Sequence, residues 1–187
     1  MLFRSRVTEM IKILDLYAIH TRKPHIYIGD SSDIRLFLKL QESISTYRFE
    51  FVKLFHFPNQ ESGVVLKKLS DMLAPKIEYV CFHGDDDFIF PDAIEYIISK
   101  MNKNQHIMSA QGSAITLQLS FKHKYAVKLG GFGDYWGKPF RNEEDLQQRL
   151  LNHSEKYYVS MFSVQRKQVF SEALSHFYTR DRKSTRL

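Results

Sequence analysis

The sequence contains few cysteines, prolines and glycines, and each shortage excludes a class of protein. Cys81 is the only cysteine among 187 residues, so the chain has no intramolecular disulfide framework and no multi-cysteine zinc site. With 5 prolines and 8 glycines, the chain is neither collagen-like nor of low complexity. A single cysteine is compatible with a reducing compartment, and we therefore expect a cytoplasmic location.

Long apolar runs are also absent. No uninterrupted apolar stretch reaches the length that spans a bilayer. The first 20 residues place charged side chains among the apolar ones, which predicts an amphipathic helix and not a signal peptide. Hydrophobic residues still make up 43% of the chain and aromatic residues 14%, which is enough for the core of a globular domain.

The positive charge is concentrated at the end of the chain. The net charge is 27 − 21 = +6, and without residues 178–187 it is 23 − 20 = +3. This balance does not predict a nucleic-acid-binding face, although peripheral contact with an anionic membrane stays open. We expect residues 178–187 to form a disordered basic tail, and residues 1–177 to form a single domain.

The hydrophobic pattern alternates between helical and strand-like periods. It predicts an α/β fold, with a mostly parallel central sheet flanked by helices in a Rossmann-like arrangement. Ligands of such sheets bind beyond the carboxyl ends of the strands. The predicted helices cover Val7 to Ile19, a segment capped by Ser31, Ser32 or Asp33, Val64 to Leu73, and a segment that begins at Pro91. The predicted strands cover His25 to Ile28, Phe49 to Phe57 and Lys76 to Phe82.

Two of these elements carry predictions about their faces. In the strand from Phe49 to Phe57, the phenylalanines alternate, which predicts that they share one face. In the second helix, Ile34 and Leu38 belong to the predicted apolar stripe.

Three adjacent carboxylates follow the third predicted strand. Asp85, Asp86 and Asp87 would repel one another, and a bound divalent cation would remove that repulsion. Oxygen ligands of this kind suit Mg²⁺ or Mn²⁺. The alternative interpretation is an acidic turn that caps the helix beginning near Pro91.

In this context three segments, in this order, carry a resemblance to a known family: RVTEMIKILDLY, HIYIGDSSD and ESGVVLKKLSDMLAPKIEYVCFHGDDDFIFPDAIE. The sequence resembles nucleotide-sugar-dependent glycosyltransferases of the GT-A fold, in a branch similar to the inverting family 2 group. The resemblance is strongest from Arg6 to Met101. It implies transfer of a sugar from a nucleotide-sugar donor to a glycan, lipid or protein acceptor. It also implies a chain truncated at both ends, because little precedes the first helix and the chain stops soon after Phe177.

The resemblance also implies roles for individual residues. Asp85 and Asp87 would hold Mn²⁺ or Mg²⁺, with Asp86 close to the donor and able to replace Asp85 as a ligand. Asp30 matches the acid that contacts the donor nucleoside, and its alternative role is a helix N-cap. Lys67 falls on a helix that faces the donor, and its alternative place is a solvated helix surface.

The second half of the sequence offers weaker candidates. Gly130-Gly131-Phe132, followed by an acidic stretch, resembles a family pattern in which one acid is the general base. Asp145 or Glu144 would take that role, unless both belong to the acidic first turn of a helix. Arg166 would meet a phosphate or acceptor, or lie at the surface.

Two other functions remain compatible with the sequence. The first is a nucleotidyltransferase acting on sugar phosphates, which would also use carboxylates to hold a metal. The second is a non-catalytic module that keeps the fold and binds a sugar or nucleotide.

Overall fold

A computed structural model describes residues 2–3, 6–45, 47–85, 87–112, 117–120, 126–129, 145, 147–148, 151 and 162–184. The chain divides into two compact units, where the sequence predicted a single domain. The first unit comprises Met1–Ala110 with Ser163–Leu187, and the second comprises Gln111–Phe162.

The order of elements from the first to the fourth helix follows the predicted alternation. The helices that the structure describes from end to end are α1 (Val7–Ala18), α2 (Ile34–Ile44), α3 (Ser62–Asp71), α4 (Pro91–Lys103) and α5 (Lys167–Ser184), with a short 3₁₀ turn at Tyr47–Phe49. The strands are β1 (Leu2–Phe3), β2 (Ile26–Asp30), β3 (Val52–His56), β4 (Tyr79–Cys81), β5 (Ser109–Ala110), β6 (Leu117–Ser120), β7 (Ala126–Leu129) and β8 (Val164–Arg166). Residues 178–184, expected in a disordered tail, continue α5. In the described ranges, no helix combines the length and the apolar composition needed to cross a membrane.

The described strands of the first unit form two three-stranded sheets. One has the order β1-β2-β3 and is parallel, with Leu2 opposite Gly29 and Phe3 opposite Asp30. The other has the order β4-β8-β5 and is antiparallel. The fold is therefore α/β, but among the described residues two separate sheets stand in place of one mostly parallel central sheet. The second sheet is antiparallel because β8, from the far end of the chain, lies between β4 and β5.

In the second unit, the described strands β6 and β7 form an antiparallel pair.

One face of the parallel sheet packs against α1. The helix buries a single stripe of apolar side chains because these recur every three or four residues. Each large apolar side chain that is fully buried stabilises the fold by about 1.5–3 kcal/mol. The stripe and the residues around it form the main core: Val7, Met10, Ile13, Leu14, Tyr17, Ile26, Ile28, Leu40, Phe49 and Phe51.

The other face of this sheet packs against α3. Val65 and Leu69 are buried there with Phe57. The helix approaches so closely that a Cβ atom on Gly29 would overlap Val65 and lie 2.9 Å from Leu69 Cδ1. Glycine is thus the residue that this close approach requires.

The phenylalanines predicted to share one face of a strand lie on two. Phe49 belongs to the 3₁₀ turn, and the strand begins only at Val52. Phe49 and Phe51 enter the core beside α1, whereas Phe57 packs against α3. The prediction was wrong because the chain turns before the strand begins.

Candidate functional site

The carboxylate that ends β2 is completely buried. Asp30 has 0% exposure, and its Oδ1 atom accepts hydrogen bonds from the Ser32 amide, at 2.7 Å, and from the Ser32 hydroxyl. Its other oxygen, Oδ2, has no hydrogen-bond partner within the described part of the chain. A buried carboxylate oxygen without a donor costs free energy, so this atom is suited to receive a donor from a ligand.

The turn after Asp30 is held rigidly. Asp33 is the N-cap of α2, since its Oδ1 accepts from the amides of Arg35 and Leu36 at 2.9 and 3.2 Å. The alternative role of Asp30 as the helix cap is therefore taken by Asp33. The His56 ring donates through Nε2 to the Ser32 carbonyl at 3.0 Å, which ties the turn to the end of β3.

The acid cluster follows β4, as predicted. Asp85 is half-buried and Asp87 is exposed, while Asp86 lies outside the described residues. The Gly84 amide donates a hydrogen bond to Asp87 Oδ2 at 3.2 Å, so the Asp87 side chain contacts the backbone of its own loop. Arg6 Nη1 lies 3.5 Å from Asp85 Oδ1.

Asp30 and Asp85 both contact the segment that runs from β1 to the start of α1. Phe3, in β1, is the register partner of Asp30, and Arg6, just before α1, pairs with Asp85. Because β1 and β2 are parallel, their carboxyl ends meet at one edge of the sheet. Arg6 brings the loop after β4 to the residues that follow that edge. Arg6 was not among the sequence-based candidates, although its position directly after a strand was a usable signal.

The described residues include no group of three or more histidine, cysteine, aspartate or glutamate side chains placed to hold one metal ion. Asp85 and Asp87 nevertheless lie on one short loop. Protein sites for Mg²⁺ often use one or two carboxylates and leave the remaining positions to water and substrate phosphates. Two carboxylates are what the protein supplies to such a site, and the metal site proposed below is built from Asp85 and Asp87.

Two buried polar side chains, Tyr17 and His83, form hydrogen bonds with the backbone of the loop that carries Asp85 and Asp87. The Tyr17 hydroxyl accepts a hydrogen bond from the Ile89 amide at 3.0 Å, and burial raises the pKa of Tyr17 to about 12. His83 donates through Nδ1 to the Gly84 carbonyl at 2.8 Å, and burial lowers the pKa of His83 to about 4. His83 is therefore neutral at pH 7, and its described contacts anchor the loop.

Two further candidates, Lys67 and Asp145, form hydrogen bonds with residues only a few positions away in the sequence. Lys67 Nζ pairs with both carboxylate oxygens of Asp71, one helical turn away, at 2.5 and 2.6 Å. Asp145 is exposed and accepts from the Gln147 amide at 2.9 Å, an arrangement typical of a helix start. Glu144 and the segment Gly130–Phe132 lie outside the described residues.

Arg166 has a structural role. Its guanidinium donates to the carbonyls of Met101 and Ile107, at 2.8 and 3.1 Å, and to the Tyr79 hydroxyl at 3.1 Å. These bonds join the end of α4 to β4 and β8. The side chain is thus directed to protein groups, where the sequence suggested a phosphate, an acceptor or the open surface.

Comparison of the chain with protein-family models, with curated proteins and with solved structures finds no match.

Proposed function

We propose that this protein is a nucleotide-sugar-dependent glycosyltransferase whose donor binds at the carboxyl ends of β1, β2 and β4. The observation that carries the proposal is the buried Asp30 carboxylate with one oxygen that no described residue satisfies. A carboxylate at a strand end is suited to accept hydrogen bonds from ribose hydroxyls or from a base N–H. The turn through Ser32 holds Asp30 in place before any ligand arrives.

The proposal includes the finer fold assignment, a GT-A-like and Rossmann-like domain with a mostly parallel central sheet. Two features support it. The sheet β1-β2-β3 is parallel, and β4 and β5 run in the same direction because both are antiparallel to β8.

Asp85 and Asp87 are the proposed ligands of Mn²⁺ or Mg²⁺, with Asp86 beside them. Bound there, the cation would neutralise charge on the leaving nucleoside diphosphate as a Lewis acid. Arg6, whose Nη1 lies 3.5 Å from Asp85 Oδ1, adds a positive charge at the same strand end. The loop is anchored through Tyr17 and His83, so its carboxylates need little rearrangement to meet a ligand.

The test of donor binding is thermal unfolding with a series of nucleoside diphosphates, with and without Mn²⁺. A ligand at about 100 times its dissociation constant stabilises the native state by roughly 2.7 kcal/mol. Asp30→Asn should weaken nucleotide binding. Asp33→Asn is the matched control, since it changes the same charge in the same turn and asparagine still caps the helix. Failure of every nucleoside diphosphate to bind, or unchanged binding by Asp30→Asn, would refute the proposal.

The metal site is tested separately. Mn²⁺ should raise the melting temperature of the parent protein, and Asp87→Asn should abolish that increase. Asp71→Asn serves as the control, because Asp71 pairs with Lys67 on α3. An equal response to Mn²⁺ in the parent and in Asp87→Asn would remove Asp87 from the ligand set.

Turnover requires an acceptor, and the proposal leaves its class as a glycan, a lipid or a protein. Asp145 and Glu144 remain the proposed general bases, and a cytoplasmic location is part of the same proposal. Product analysis with labelled sugar nucleotides distinguishes sugar transfer from nucleotidyl transfer. Asp145→Asn should abolish transfer while leaving nucleotide binding unchanged if Asp145 is the base.

A further inference from the structure

A cavity of about 490 Å³ lies within the first unit, with walls from β2, β4, α3 and α4. Pockets that bind small molecules have volumes of about 300–1,000 Å³ and mostly apolar walls. Apolar side chains form most of the walls here, among them Leu66, Leu73, Ile77, Val80, Ile94 and Ile98. Such walls favour an alkyl chain over a polar ligand, because the chain leaves water when it enters.

The two ends of the cavity differ in exposure and in charge. Phe82 and His83, which follow β4, line one end and are buried. His83 is neutral at pH 7, so this end carries no charge from it. Lys23 and Lys76, which precede β2 and β4, line the other end and are exposed. The cavity therefore runs from a charged opening at the amino ends of two strands to an interior end behind the acid loop.

The charges at the opening favour an anion. Arg22 and Glu95 line the cavity there and neutralise each other through an ion pair of 2.6 Å. Lys23, Lys76 and Glu78 are the other lysine and glutamate side chains of the cavity wall, and together they leave one positive charge in excess. A ligand with a single negative charge at one end of an apolar chain matches both the opening and the walls.

We infer that this cavity, which we call the alkyl pocket, binds a fatty acid of about twelve carbons. Its carboxylate would lie at Lys23 and Lys76, and its chain would extend towards His83. The volume equals that of about sixteen waters at roughly 30 Å³ each, and a methylene group is of similar size, so such a chain fits with its carboxylate at the opening. The inference does not depend on sugar transfer, because the proposed donor lies at the carboxyl ends of the strands and the opening lies at their amino ends.

The test is calorimetric titration of the full chain with fatty acids of increasing length, kept below micelle-forming concentrations. Each further buried methylene should strengthen binding about fourfold, so dodecanoic acid should bind about fifteen times more tightly than decanoic acid. Dodecyltrimethylammonium has the same chain and the opposite charge, and it should bind at least about tenfold more weakly than dodecanoic acid. Absence of dodecanoic acid binding, affinity independent of chain length, or equal affinity for the cation would overturn the proposal.

Two substitutions with matched controls locate the binding. Ile98→Trp fills the alkyl pocket and should weaken dodecanoic acid binding about tenfold or more. Tyr96→Trp places the same side chain on the same helix at a position that is 63% exposed, and should leave binding unchanged. Lys76→Gln should weaken binding about threefold, whereas Lys39→Gln, at an exposed lysine of α2, should not. The lysine pair decides the question if Ile98→Trp does not fold, and equal binding by a variant and its control would overturn the proposal.

Discussion

The Cys81 thiol provides a direct test of the packing around β4. Burial raises the pKa of Cys81 from 9.0 to about 12, because the thiolate is poorly solvated there. At pH 9, about half of the thiols in the unfolded chain are ionised, compared with about one in a thousand in the native protein. Since Cys81 is the only cysteine, alkylation by iodoacetamide reports this position alone. We expect the native protein to react about 500-fold more slowly than the urea-unfolded chain, because the thiolate is the nucleophile.

The stability of the protein should show the same shift in pKa. The unfolded thiol ionises first, so the contribution of Cys81 is fully present below about pH 9 and is lost as the pH rises toward 12. At pH 10.5 the loss is about 2 kcal/mol in the free energy of unfolding. Urea denaturation of the parent and of Cys81→Val across this range isolates the thiol from the lysines and tyrosines. Equal alkylation rates for native and unfolded chains, or parallel pH profiles for the two proteins, would refute the reasoning.

Three substitutions, two of them paired with a control substitution, test a close contact, a set of hydrogen bonds and a helix cap by urea denaturation. Gly29→Ala should cost about 1–3 kcal/mol because its Cβ would overlap α3, whereas Gly112→Ala, with open space around it, should cost less than about 1 kcal/mol; equal losses would contradict the close approach. Arg166→Met should cost about 2–3 kcal/mol through its lost hydrogen bonds. Arg22→Met, which removes an exposed ion pair, should cost under about 1 kcal/mol, and a reversed order would contradict the structural role of Arg166. Asp33→Ala should cost about 1 kcal/mol through loss of the cap, and an unchanged stability would exclude that role.

Local patterns predicted the helices well where one signal was strong. The stripe from Val7 to Tyr17 has a clear helical period, and Pro91 marks the first residue of α4. In α2, apolar residues cover one wide side of the helix, and the pattern did not identify which part of that side faces the core. Ile34 and Leu38 are 55% and 53% exposed, and Leu40 is the buried residue.

The sheet pairing could not be predicted in the same way. The apolar run before the acid cluster suggested a strand between parallel neighbours, but Val80 is paired with Gln165 in an antiparallel ladder. That partner lies far away in the sequence, and no local period carries information about it. The candidate site was likewise predicted only in part. The strand-end rule indicated Asp30. Its buried Oδ2, which has no hydrogen-bond partner among the described residues, and the contact between Arg6 and Asp85 depend on tertiary structure, so no local pattern predicts them.

The position of β8 makes the segment 111–162 an insertion in the first unit. Ala110 and Val164 are neighbours in the ladder, and the hydroxyls of Ser109 and Ser163 lie 2.7 Å apart. The chain therefore leaves and re-enters the unit at almost the same point, which a turn of two to five residues could close as a hairpin. During synthesis, β4 and β5 must wait for β8 until the whole insertion has been made, so the antiparallel sheet forms late and is sensitive to the length of what separates its strands. In modular terms the insertion is a cassette that carries Glu144 and Asp145, the proposed bases, whereas the connections that place Asp30 and Asp85 at their strand ends lie outside it.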